Sequence, residues 1–398
     1  MNTSQAEQPS GDEQSRRAYA RQKRALHLAN MVTATAALGV LAWSPATVKV
    51  GRMIQRRTKR RPLATAVGLL ATAAFSAGLS LPYDFASGYI LERKYGLSNQ
   101  NKRQWFGDYG KAAALGVMLL LCLGSGFYAL VRRSPRRWPV LASLASVPLI
   151  VALQAVAPIY FFPLFNKYRR LEEGELRDEI VTLAKAHAVI TDEIYVVDMS
   201  KQTKKANAFV AGIGSTCRIV LADTLLDNFK PDEILFVLAH EISHYRARDA
   251  WKLASISGAL AALTFSAIAA AGEAAKRRPQ SWQTLDEAGA IPMAAFVANA
   301  VSCLALPAIN GMTRRMEYAA DAYAATTQPE LTEPGVRAFE RLGQINLAEM
   351  APPGWVEWFF HSHPSLRKRI SALQRSRRAA PEPDTSGSRP WSDGGEAC

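Results

Sequence analysis

Six long uncharged stretches, separated by basic segments and one polar block, set the hydrophobic pattern of this chain. They cover Ala25–Val48, Pro62–Tyr83, Ala112–Val131, Trp138–Asn166, Leu253–Gly272 and Ala288–Thr313. A helix needs about 20 apolar residues to cross a hydrocarbon core, and each stretch is long enough. The first is the weakest, because His27, Asn30 and several Thr and Ala residues dilute it. Further spans follow it, so it reads as a membrane helix rather than a secretion signal.

Between Lys167 and Arg248 the pattern becomes that of a soluble domain. Leu176, Ile180, Leu183 and Ala184 recur at helical spacing within Glu173–Ala186, which predicts an amphipathic helix. Glu193–Asp198 and Arg218–Leu221 are rich in β-branched residues and read as short strands. Asn207-Ala208-Phe209-Val210 is a third, weaker strand. Residues 1–24 are polar and charged and are expected to form a disordered basic arm. From residue 374 the chain is rich in Arg, Pro, Ser and Gly, a composition that builds no core. The expected organisation is therefore an arm (1–24), about four membrane helices (25–166), a soluble domain (167–250), two further membrane helices (251–312), a second part of the soluble domain (313–373) and a disordered tail (374–398). The fold class is mainly α: a polytopic bundle of about six helices with a small α/β domain.

The formal net charge of +14 sharpens the membrane reading. The basic excess lies beside the spans, at Arg16, Arg17, Arg21, Lys23 and Arg24, across Arg52–Arg61, and at Arg132, Arg133, Arg136 and Arg137. Anionic headgroups account for that placement. No interleaved aromatic and basic pattern suggests nucleic acid, so membrane lipids are the expected partner and nucleic acid is not. Cys122, Cys217, Cys303 and Cys398 are scattered, which argues against a disulfide framework or a cysteine metal cluster.

The chemistry is concentrated in His240-Glu241-Ile242-Ser243-His244, an H-E-x-x-H motif inside the apolar run from Ile234. Residues four apart share a helical face, so both imidazoles can reach one ion. Glu241 lies beside the first of them, placed to take a proton from water that the ion activates. Pro231 suits a first helical position, and Asp232 and Glu233 suit the positive end of the helix dipole. A solvated surface helix is the bland alternative, but two histidines and a glutamate among apolar residues require partners. A catalytic zinc also needs a third protein ligand and an open position. Glu317 and Asp321, again four apart, supply one carboxylate for the metal and one to fix a ligating histidine.

These motifs together resemble the type I CAAX prenyl endopeptidases, polytopic zinc proteases that trim prenylated proteins. The resemblance spans about residues 62–372. It rests also on Tyr95-Gly96-Leu97-Ser98 with Trp105 and Asp108, on Pro163-Leu164-Phe165-Asn166-Lys167-Tyr168, on Asn207-Ala208-Phe209, on Arg218 through Leu226, and on His363-Pro364 with Arg369-Ile370. It implies a gluzincin-type domain with one Zn2+ per chain, held by His240, His244 and Glu317, with Glu241 as general base. It implies that Asp321 supports a ligand, that His363 stabilises the oxyanion, and that Arg369 anchors its segment by charge pairing. Asn207, Ala208 and Phe209 would belong to an edge strand on which an extended peptide docks. The family's membrane helices surround a water-filled chamber, which Gln154 and Asn299 would face.

The sequence departs from the family at Ser243, where glycine is usual, and near Cys217, where a basic residue is usual. The additional N-terminal span of the eukaryotic enzymes is not apparent. That shortening, with Asp249, resembles the HtpX-like proteases that clear damaged membrane proteins. The expected substrate is therefore a peptide or protein that is lipidated or membrane-bound. A catalytically silent scaffold would lack a ligand or the base, and a transporter would not explain Glu241 between two histidines. The expected location is a bacterial plasma membrane or its equivalent. The basic loops Lys49–Arg61 and Arg132–Arg137 favour the cytoplasm by the usual bias. The family implies the reverse, with the active site facing the cytoplasm, and the expectation follows the family.

Overall fold

Long helices from both halves of the chain form one bundle, and the soluble domain sits at one end of it. The computed structural model describes residues 13–189, 191–212, 217–278 and 281–379. The first half holds α1 (Glu13–Trp43), α2 (Pro45–Thr58), α3 (Arg61–Phe85), α4 (Leu91–Lys94), α5 (Lys102–Arg133) and α6 (Trp138–Val156). A π-turn over Ala86–Ile90 joins α3 to α4. Then come β1 (Tyr168–Arg170), α7 (Glu175–Ala186), β2 (Ile194–Val197), β3 (Ala208–Ala211), β4 (Arg218–Ala222), α8 (Asp223–Asn228) and α9 (Pro231–Arg246). The chain returns to the bundle in α10 (Asp249–Lys276) and α11 (Ile291–Thr327), and ends with α12 (Thr332–Ile345), α13 (Gly354–Phe360) and α14 (Leu366–Ala379).

Six helical segments among the described residues are long and apolar enough to cross a membrane: Glu13–Trp43, Arg61–Lys94, Lys102–Arg133, Trp138–Leu164, Asp249–Lys276 and Ala288–Thr327. The six uncharged stretches thus fall on these six segments, except that the first, Ala25–Val48, breaks at Ser44 and ends in α2. Their buried side chains gather at the helix ends. In α1 they are Tyr19, Leu38 and Ala42, in α3 Ala64 to Leu69, and in α5 Trp105, Tyr128 and Val131. At the end away from the soluble domain, Leu69, Tyr128, Trp138, Ile268, Ile291 and Met293 form one apolar cluster. There α2 lies against Ala288–Ala290 so closely that a Cβ on Gly51 would come within 2.4 Å of the Gly289 nitrogen. Glycine is required at that crossing.

Three expectations need correction. Residues 13–24 are not a disordered arm but the first turns of α1, tied down by Tyr19, Lys23 and Arg24, which bond to Glu92 and Glu349. The tail does not begin at residue 374, because α14 runs to Ala379. The boundary drawn at 312/313 also falls inside a single helix, since α11 carries the last span directly into the Glu317 turn. Residues 1–12 and 380–398, with Cys398, lie outside the described residues.

The sheet order is β1-β2-β4-β3, antiparallel at β1/β2 and β3/β4 and parallel at β2/β4. β3 is therefore an edge strand. One face of the sheet packs on α7 and α9 through Ile180, Ile219, Leu221, Phe236 and Leu238, all fully buried. α9 starts as its sequence predicts. Pro231 stands at the first helical position, and the Glu233 carboxylate accepts a bond from the Lys230 N–H at 3.0 Å. This caps one of the orphan donors of the helix start. α12 then braces α9 from outside, with Phe339 edge-on to Phe236.

Candidate active site

α9 presents His240 and His244 on one face toward the last turns of α11, which carry Glu317 and Asp321. One ligand atom from each of His240, His244 and Glu317 lies within 4.8 Å of the others. The two Nε2 atoms are 3.2 Å apart, and each is 3.4 Å from a different oxygen of Glu317. Three donors about 2.0–2.1 Å from a tetrahedral centre would be spaced by about 3.3 Å. The arrangement therefore fits zinc. The imidazole planes are nearly perpendicular, at 87°. Glu317 Oε2 is buried and makes no hydrogen bond, which marks it as an oxygen built for a cation.

The outer nitrogens of both rings are fixed. His240 Nδ1 lies 2.9 Å from Asp321 Oδ1, and His244 Nδ1 lies 2.8 Å from Asp249 Oδ2. Each Nδ1–H donates to a carboxylate, which leaves Nε2 free to bind metal. Arg369 grips Asp321 with two bonds of 2.7 and 2.8 Å, and its guanidinium stacks 4.2 Å from the Phe339 ring. Charge pairing at Arg369 thus ties α14 to α11. Burial works against a charge on His240, but the hydrogen bonds to Asp321 and Glu317 outweigh it and hold the ring up at about 9. Binding of a cation releases that proton.

Glu241 faces a cavity of about 630 Å³, together with Asn207, Ala208, His363 and Arg369. Burial raises its carboxyl above the usual range, against the opposing pull of His240 and His244. His363 Nε2 lies 3.2 Å from Glu317 Oε1, and its Nδ1 lies 2.9 Å from Ser362 Oγ. Loss of solvent on the side facing the site lowers its pKa, against the raising pull of Glu317. Phe209 is not part of the cavity wall, since its ring meets Phe162 edge-on. Asn299 donates to Thr35 Oγ1 at 2.6 Å and so joins α11 to α1, while Gln154 is half-buried on α6.

Two site residues were not assigned from the sequence. Asp249 reaches His244 because Arg248 adopts a left-handed conformation (φ 55°) that turns the chain sharply between α9 and α10. A carboxylate five residues after the second histidine was the available signal. Ser362 gave none beyond being next to His363.

The fold and the three-donor group define a membrane-embedded zinc endopeptidase. The chain belongs to peptidase family M48, which residues 170–377 match, while residues 6–167 match the CAAX prenyl protease N-terminal domain, described as having five membrane helices. Among the described residues of that segment, four helices are long enough to span. Between the first two of them, α2 has 14 residues, fewer than a span requires. Similar proteins include the uncharacterized metalloprotease YhfN of Bacillus subtilis, 28% identical over 87% of this chain and 81% of its own length. CAAX prenyl protease 1 of Saccharomyces cerevisiae is 27% identical over 77% of this chain and 71% of its own. The crystal structure of S. mikatae Ste24p has the same fold, with a TM-score of 0.76 at 24% identity over 91% of this chain and 88% of that one. The chain is thus an integral multi-pass membrane metallopeptidase acting on peptides or proteins.

Proposed function

We propose that this protein cleaves the C-terminal region of lipid-modified substrates, using His240, His244 and Glu317 to hold the zinc. The observation that carries the reading is the convergence of those three donors beside Glu241 in a cavity walled by an edge strand. Zinc, when bound, polarises the scissile carbonyl and increases the acidity of water. Glu241 then takes the proton from the attacking water and passes it to the leaving amine. A neutral His363 donates an N–H toward the oxygen on which negative charge develops. Asp321 and Asp249 hold the histidines, and Arg369 positions Asp321.

The outer edge of β3, including Asn207, Ala208 and Phe209, offers main-chain bonds to an extended peptide and little side-chain selectivity. Selectivity would then come from the lipid and from the ends of the cavity. Relatives named CAAX prenyl proteases support a prenylated substrate. The zinc-bearing face is assigned to the cytoplasm, where such substrates occur. The test is cleavage by detergent-purified protein of matched farnesylated and unfarnesylated C-a-a-X peptides, with Glu241→Gln as control. Preferential cleavage of the farnesylated peptide is expected. Equal rates would overturn lipid selectivity and leave a broader membrane protease.

A further inference from the structure

The cavity that holds Glu241 has a basic end that the hydrolytic chemistry does not use. Its wall includes Lys23 and Arg24 from α1 and Lys205 from the loop before β3. Arg24 is neutralised by Glu349 at 2.5 Å. Lys23 and Lys205 differ, because their ion pairs among the described residues go to the same partner, the buried carboxylate of Glu92. Lys23 Nζ lies 2.5 Å from Glu92 Oε1, and Lys205 Nζ lies 2.8 Å from Oε2. Tyr19 sits between them, donating to Glu92 at 2.6 Å and accepting from each lysine at 2.9 Å. Two ammonium groups facing one carboxylate leave one positive charge uncompensated. Each ammonium has three N–H donors; Lys23 directs two of them at Tyr19 and Glu92, while Lys205 lies within 3.0 Å of Tyr19 Oη and of both Glu92 oxygens.

The position of that charge relative to the cut is set by the sheet. Lys205 lies two residues before Asn207, on the same segment that leads into β3. Its backbone is held there by Thr224 Oγ1, which donates to the Lys205 carbonyl at 2.8 Å, and the next N–H donates to Asn346 Oδ1 at 3.1 Å. A peptide added antiparallel to β3 runs from Phe209 toward Lys205 as it proceeds to its own C-terminus. An extended chain advances about 3.3 Å per residue, and Lys205 lies three residues before Ala208, the first residue of β3, so a peptide paired at Ala208 reaches the level of Lys205 about three residues later. Burial, and after it the neighbouring charge on Lys23, depresses the Lys205 pKa. An incoming anion offsets the repulsion between the two ammonium groups.

We infer that Lys205, with Lys23, binds the free α-carboxylate of the substrate's C-terminus and so sets the distance from chain end to scissile bond. This rests on the proposed function in assuming that the substrate docks on β3. The site would make the enzyme count residues from the terminus, cleaving near a free end and sparing internal sequences.

The test separates binding from turnover. A fluorescent octapeptide ending in C-a-a-X is made as the free acid and as the carboxamide, and each is titrated against full-length, zinc-loaded Glu241→Gln protein in detergent. The free acid is expected to bind about tenfold to a hundredfold more tightly, the range for a charge-assisted contact. Lys205→Met is expected to erase that preference and Lys205→Arg to keep most of it. Zinc content and melting temperature should be unchanged in Lys205→Met, because Lys23 and Tyr19 still partner Glu92. Equal binding of the two forms, binding of neither, or a preference that survives Lys205→Met overturns the inference. Wild-type cleavage of the same peptides reports on the protease reading separately. If acid and amide are cut equally, the carboxylate contact fails and the protease stands. If neither is cut while the binding preference holds, the protease reading alone fails.

Discussion

The soluble domain and the membrane bundle bury their apolar residues against different surroundings. Around the sheet and α9, Ile180, Ile219, Leu221, Phe236 and Leu238 are sealed from solvent by protein. In the bundle, Val40, Leu144 and Leu304 are 70%, 68% and 82% exposed. Those side chains are not covered by protein, although the helices also pack along their lengths, as where Gly258 of α10 meets Val147 of α6. The proposed zinc site lies where the two regimes meet. His240 and His244 come from a helix locked in the protein core, and Glu317 comes from the end of a helix that crosses the bundle. A rigid protein core fixes the two imidazoles, while one unbroken membrane helix delivers the carboxylate to them.

The largest effect should come at that junction. Glu241→Gln is expected to lower kcat/KM by about 10³- to 10⁴-fold while leaving bound zinc and melting temperature unchanged, as peptide kinetics and metal analysis would report. Loss of zinc in this variant would make Glu241 part of the metal site instead. Next, Phe236→Ala should cost about 3–5 kcal/mol, since its ring fills the space between α9 and α12. Leu304→Ala should stay within about 0.5 kcal/mol. Unfolding in one detergent would compare the two, and similar losses would erase the contrast between the regions.

Asp249→Asn should weaken zinc binding by about 10- to 100-fold, because His244 loses the carboxylate that orients it. Competition with a chelator measures this. The smallest effect is expected at Asn299→Leu, which removes the bond between α11 and α1. Interhelical bonds of this kind are worth about 0.6 kcal/mol, so a small loss of thermal stability with activity retained is the expected result.

Legibility in the sequence followed the same division. The six spans were readable because lipid demands long uncharged runs. α9 was readable because Pro231, Glu233 and the apolar spacing all act locally. The first turns of α1 were not, because residues 13–24 look solvated until their partners are known. Tyr19 bonds to Glu92 at a separation of 73 residues and Arg24 to Glu349 at 325. β1 was missed because it has only three residues, Tyr168–Arg170, half-buried or exposed and without an alternating pattern. At the candidate site, the juxtaposition of His240, His244 and Glu317 was legible through the spacings His240/His244 and Glu317/Asp321, with Glu241 read from its place beside His240. Asp249 was hidden by a reversal at Arg248 that no glycine or proline announces. The gathering of His363 and Arg369 onto Glu317 and Asp321 followed from the family resemblance, because nothing local links residues about 48 positions apart.

The most direct test of the whole account is the zinc content of purified protein, by elemental analysis, in wild type and in Glu317→Ala. The account predicts one zinc per chain in the wild type and a near-complete loss in Glu317→Ala, with Glu241→Gln retaining the ion. A full complement of zinc in Glu317→Ala would contradict it, because the metal would then not be held jointly by the soluble domain and the membrane bundle.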